Sequence, residues 1–200
     1  MCDIDLLTTT EETAADDTAA KRYIYVMLLR YPDRFSRTWQ FFSRSKFSHA
    51  SIGISDTDWV FFSYVLKGFR TELPRKHPRF KSREIPCELY RVEISEDVYE
   101  NAKTVLDEHI GRSHSHKFSY FGLLLCYCRI RRQLTDRYFC SQFVSEILEK
   151  SKAVTLSKHY SLYLPDDFMQ MNGLELVFSG NLSQLVEQSS SASLTFVEST

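Results

Sequence analysis

The chain has 200 residues, of which 43% are hydrophobic, and a formal net charge of -1. That is enough apolar material for one sizeable core, and it lacks the strongly basic footprint of a nucleic-acid binder. No apolar run approaches the roughly 18 residues that a helix needs to cross a bilayer. Five cysteines (Cys2, Cys87, Cys126, Cys128, Cys140) form an odd set without framework spacing. Residues 1–20 hold six acidic side chains and no basic one, so they lack the charged start and apolar core of a signal peptide. A cytoplasmic protein with reduced thiols and no transmembrane segment is expected.

In chain order, residues 1–21 read as a disordered acidic lead-in. Arg22 to Leu29 is a near-continuous apolar run that suits a buried strand, broken at Tyr31-Pro32-Asp33. Ser36 is placed to cap a short helix carrying Trp39, Phe41 and Phe42. His49 to Ile54 reads as a strand, turned at residues 55–58, with Trp59 to Val65 as its hairpin partner. The basic, proline-punctuated stretch from Lys67 to Pro86 reads as a long loop or flap. Leu89 to Ile94 alternates as a strand, and Ser95-Glu96-Asp97 opens an amphipathic helix.

Farther on, Tyr120 to Leu125 suits a short buried helix, and the basic loop from Arg129 to Arg137 leads to Cys140. Pro165-Asp166-Asp167-Phe168 has the form of a capped helix start, better suited to capping than to paired-carboxylate chemistry. Leu174 to Phe178 is the expected last strand, ended by Gly180. The expected organisation is one domain over residues 22–186, followed by a Ser-rich tail at 187–200.

The chemistry concentrates at Tyr138-Phe139-Cys140-Ser141-Gln142-Phe143-Val144. Phe143, Val144, Ile147 and Leu148 repeat at helical spacing, with Gln142, Ser145, Glu146, Glu149 and Lys150 on the other face. Cys140 thus falls in the first turn, where unpaired N–H groups and the helix dipole favour a thiolate. A nucleophilic thiol also needs an imidazole within reach. Of six histidines, His49 begins a strand and is the one most rigidly placed, while His77, His109, His114, His116 and His159 fall in loops, turns or helix ends. Cys126 and Cys128, with His114 and His116, form a weaker metal-site candidate, and the basic clusters at 75–77 and 129–132 suit solvated loops or an anionic partner.

Phe47-Ser48-His49-Ala50-Ser51-Ile52-Gly53-Ile54, followed by Phe139-Cys140-Ser141-Gln142-Phe143-Val144, resembles the circularly permuted branch of the NlpC-type, papain-like cysteine peptidases. The lecithin:retinol acyltransferase-like enzymes share that permutation, in which the histidine strand precedes the cysteine helix. The resemblance extends over about residues 22 to 185 through Ser63, Tyr120-Phe121-Gly122-Leu123-Leu124, Leu164-Pro165-Asp166-Asp167-Phe168 and Phe178-Ser179-Gly180. It implies an α+β fold, an antiparallel sheet or half-barrel packed against helices with the nucleophile at a helix N-terminus.

It further implies Cys140 as nucleophile, His49 as general base, and the N–H groups of Cys140 and Ser141 in an oxyanion hole. Family members carry a polar third residue on the strand after the histidine strand. Here Ser63 occupies that strand, a weaker orienter of imidazole than a carboxylate. Trp59, Phe61, Tyr120 and Gln142 are the candidates to contact substrate. The implied activity is hydrolysis of an amide or related bond through a thioester. The alternatives are acyl transfer or thioester cleavage on lipid-like substrates, and a non-catalytic binding module. The expected partner is a small-molecule, peptide or lipid-like acyl substrate, with no cofactor and no nucleic acid.

Overall fold

The computed structural model describes residues 21–54, 59–76 and 84–195. The chain is mixed α+β, with an antiparallel sheet packed against helices. Its strands are β1 (Arg22–Leu29), β2 (His49–Gly53), β3 (Phe61–Val65), β4 (Gly68–Glu72), β5 (Pro86–Ile94) and β8 (Glu175–Asn181), in the spatial order β4-β3-β2-β1-β5-β8. The helices are α1 (Arg34–Ser43), α2 (Glu96–Gly111), α3 (Tyr120–Tyr127), α4 (Cys140–Lys150) and α5 (Leu182–Thr195). Two short strands, β6 (Lys117–Phe118) and β7 (Arg137–Tyr138), pair in parallel and lead into α3 and α4.

Side-chain alternation along β1 explains why this strand is apolar on both faces. Ile24, Val26 and Leu28 join Ala50, Ile52, Tyr90 and Val92 in a core beneath Phe143, Val144, Ile147 and Leu148 of α4. Met27 and Leu29 point the other way, into a second core with Phe61, Cys87, Leu89 and the α5 residues Leu182 and Leu185. A strand covered on both sides has no solvent face on which to place polar residues.

The sequence expectations change at several points. Asp33 caps α1, its carboxylate accepting from the Ser36 N–H at 2.9 Å, so Ser36 is a capped residue and not the cap. The expected flap from Lys67 holds a regular strand: β3 and β4 form a hairpin through Leu66-Lys67, and Gly68 takes the positive φ of +102° that follows. That conformation costs glycine little and strains any other residue. The polar face of α4 is covered too, since every residue from Cys140 to Leu148 is buried. Ser145 Oγ donates to the Tyr160 carbonyl at 2.9 Å. β8 continues through Gly180. The domain boundary drawn at residue 186 falls inside α5, which runs to Thr195 and buries Leu185 and Ser189. The turn at 55–58, His77 and most of the acidic lead-in lie outside the described residues.

Candidate active site

Cys140 is the first residue of α4, and Phe139 ahead of it supplies no side-chain cap. The first-turn N–H groups are therefore left to other acceptors. The thiol is 7% exposed. It is hydrogen-bonded to the His49 imidazole, and the backbone N–H groups of Ala50 and Ser141 also reach the sulfur. α4 and the start of β2 thus meet around one sulfur atom.

His49 is held from several directions. The Phe47 N–H donates to Asp166 Oδ1 at 2.9 Å, and the Lys46 N–H reaches the other oxygen of that carboxylate. The Ser48 N–H donates to the Leu29 carbonyl at 3.0 Å, while Ser48 Oγ accepts from the Tyr31 N–H at 3.0 Å. Asp167 caps the following 3-10 turn through the Leu164 N–H. One member of the Asp166-Asp167 pair therefore caps, and the other clamps the backbone that delivers His49.

The imidazole's second partner is Glu72, whose Oε1 lies 2.8 Å from His49 Nε2. Cross-strand register explains the approach. Leu29 pairs with His49, and Phe61 pairs with Glu72. Both Leu29 and Phe61 belong to the second core. Directly opposed residues share a face, so His49 and Glu72 project on the same side of the sheet across β3. Tyr31 packs its ring on His49 with centroids 5.2 Å apart. With Nε2 engaged by Glu72, Nδ1 is the ring nitrogen left to face the thiol.

The electrostatics follow from this chain of contacts. Burial alone would drive the His49 pKa down, but the Glu72 charge and the hydrogen bonds to Cys140 and Glu72 outweigh it and carry it up to about 10. Burial likewise opposes ionisation of Cys140, yet its hydrogen bond to His49, the imidazolium charge and the two backbone N–H groups hold the thiol below its usual range. Both shifts run toward a thiolate–imidazolium pair backed by a carboxylate. Burial, then Glu72, pushes the Tyr31 phenol well above its ordinary pKa, so it stays protonated beside the pair.

Among the other residues singled out from sequence, Ser63 is buried on β3 and donates to the Ala50 carbonyl at 2.7 Å. Its hydroxyl braces the β2 backbone, and the group at His49 Nε2 is Glu72 instead. Gln142 is buried in the first turn of α4, its Nε2 without a hydrogen-bond partner among the described residues. The Trp59 ring lies tilted against Phe61 at 6.3 Å between centroids, and Phe61 itself is a core residue. Tyr120 lies on the exposed side of α3 against Phe118.

Cys126 is buried and its thiol donates to the Tyr163 carbonyl, whereas Cys128 is exposed. His116 accepts or donates at Tyr64 Oη, 2.7 Å away, and meets Asp136 at 3.3 Å. Among the described residues, no group of three or more His, Cys, Asp or Glu side chains is arranged to hold a metal ion. No described helix is long and apolar enough to cross a membrane.

Glu72 and Tyr31 were missed by the sequence reading. A signal for Glu72 existed: Leu66-Lys67-Gly68 is a hairpin turn, and the residues after it continue the alternation back toward the histidine strand. No protein-family model matches this chain, and no curated protein matches it.

Proposed function

We propose that the protein is a cysteine acyl hydrolase in which Cys140 is the nucleophile, His49 the general acid and base, and Glu72 the group that orients and charges the imidazole. The observation that carries this reading is the buried hydrogen-bonded chain from Cys140 through His49 to Glu72. The order of histidine strand before cysteine helix, on an antiparallel sheet packed against helices, is what a permuted papain-like fold requires. The reading assigns the chain to that architecture.

In the acylation step the Cys140 thiolate adds to the substrate carbonyl, and the oxyanion is met by the first-turn N–H groups of α4. The imidazolium proton of His49 passes to the leaving group as its bond to the carbonyl carbon breaks, leaving a thioester on Cys140. His49, now neutral, takes a proton from water as the water oxygen attacks the thioester. Collapse returns the thiolate, the imidazolium and a carboxylic acid product. Glu72 stabilises the imidazolium at each end of the cycle. Gln142 Nε2, buried and without a partner among the described residues, is available as a further donor to the substrate.

The test is labelling with an acyloxymethyl ketone, whose carboxylate leaving group a thiolate displaces to leave a thiomethyl ketone on the sulfur, followed by peptide mapping. The label is expected on Cys140, lost in Cys140→Ala and strongly slowed in His49→Ala. Label confined to the exposed Cys128, unchanged by both substitutions, would refute the assignment. An acceptor other than water, an amine or alcohol, would make the same acyl-enzyme a transferase. Product analysis with added amine separates the two.

A further inference from the structure

The sequence predicts a buried helix at Tyr120, but one side of α3 faces solvent. Tyr120 and Phe121 open that side, Leu124 and Tyr127 follow at helical spacing, and Ile130 lies just past the end of the helix. Each is between 47% and 56% exposed. Among the described residues these five make up half of the ten exposed large hydrophobics, gathered within eleven positions of the chain. Scattered apolar side chains on a surface need no explanation, whereas a contiguous patch does.

The segment that carries this patch is predominantly basic. Between residues 117 and 137 the chain carries Lys117, Arg129, Arg131, Arg132 and Arg137, against one acidic residue, Asp136. The five basic residues are exposed. A segment with four excess positive charges stands out in a chain of net charge -1. α3 itself contains no charged side chain. An apolar helical side with a cationic border fits the interface of a bilayer that bears anionic headgroups, where rings and aliphatic chains enter the acyl boundary and guanidinium groups meet phosphate.

We propose that the exposed side of α3, bordered by Arg129, Arg131 and Arg132, docks the protein onto an anionic lipid surface. The same carbonyl, that of Tyr163, receives the Cys126 thiol of α3 and the Ser141 hydroxyl of α4 at 2.7 Å. A Cβ added at Gly122 would come within 3.6 Å of the Phe139 ring, beside Cys140, so α3 runs close to the start of α4 there. Docking through α3 therefore fixes the start of α4 relative to the membrane, which suits a substrate presented from the lipid phase.

The experiment is co-sedimentation of the full chain with vesicles of phosphatidylcholine alone and with roughly one-third phosphatidylserine added. Binding is expected to the anionic vesicles, weakening as salt rises. The double variant Arg131→Glu, Arg132→Glu is expected to weaken it about tenfold or more, and Phe121→Ser with Leu124→Ser to abolish it. Circular dichroism confirms that both variants remain folded. Absence of binding to either vesicle, or binding that both variants retain, overturns the proposal. So does a dimer seen by light scattering that Phe121→Ser with Leu124→Ser dissociates, because the patch then covers a second copy. The readout is binding and not turnover, so its failure leaves the reading of Cys140 untouched.

Discussion

Glu72 Oε1 lies 2.8 Å from His49 Nε2, and both side chains are almost fully buried. A carboxylate in that position fixes the ring and favours its protonated form, which a hydroxyl cannot do to the same degree. Ser63, one strand nearer to His49, spends its hydroxyl on the Ala50 carbonyl. The two residues make opposite predictions. Glu72→Gln keeps the shape and removes the charge, and turnover of an activated thioester is expected to fall about 10²- to 10⁴-fold. Ser63→Ala is expected to stay near wild-type turnover while losing about 1 kcal/mol of stability from the broken hydrogen bond. Steady-state kinetics and denaturant titration of both variants check this.

Activity should follow a bell with pH. The acidic limb belongs to formation of the thiolate–imidazolium pair and lies below 9, because Cys140 is held under that ordinary value. The alkaline limb lies near 10, where His49 gives up its proton. Both limbs belong to the coupled pair and not to one residue. In Glu72→Gln the alkaline limb moves to lower pH, since the largest force raising His49 is removed. A pH–rate profile of kcat/KM measures both limbs.

Two histidines bend the stability curve in opposite senses. His49 has a folded pKa of about 10 against an ordinary 6.5, so its contribution is fully present below 6.5 and is lost as pH rises toward 10. His109 is pushed down to about 4 by burial first and then by its neighbours His116, Lys150 and Arg112. Its contribution is present above 6.5 and is lost as pH falls toward 4. Cys140, lowered from 9, works in the opposite sense to His49: its contribution is present above 9 and is lost as pH falls through its folded value. Tm should therefore fall on the alkaline side chiefly above pH 9, and on the acidic side, through His109, below 6.5. His49→Ala should flatten the alkaline side and leave the acidic side.

Asp166 accepts the N–H groups of Lys46 and Phe47 and so sets the path of the chain into His49. Asp166→Ala leaves two donors without that partner, one exposed and one partly buried, at a cost of about 1 kcal/mol. It is also expected to slow alkylation of Cys140 at temperatures far below the unfolding transition. A loss of Tm with an unchanged alkylation rate would mean that the clamp is structural alone.

Much of the frame was legible in the sequence because its signals are local. The apolar run of β1, the alternation of β5, the Ser95 cap of α2 and the helical stripe after Cys140 each rest on neighbours within a few residues. The strand carrying His49 and the helix carrying Cys140 were legible for the same reason. Glu72 was not, because its role depends on cross-strand register, and the basic, proline-rich stretch after it disguised β4 as a flap. The exposed side of α3 was equally hidden: apolar residues at helical spacing look alike whether they face a core or a membrane. The Ser-rich composition of α5 masked a helix that Leu182 and Leu185 anchor to the sheet.

The account stands most directly on the ionisation of Cys140. The difference in thiolate ultraviolet absorbance between the wild type and Cys140→Ser, followed against pH, isolates that one sulfur. A step below the ordinary value of 9, displaced upward by His49→Ala, is expected. A step at or above 9, or one that His49→Ala leaves in place, would contradict it.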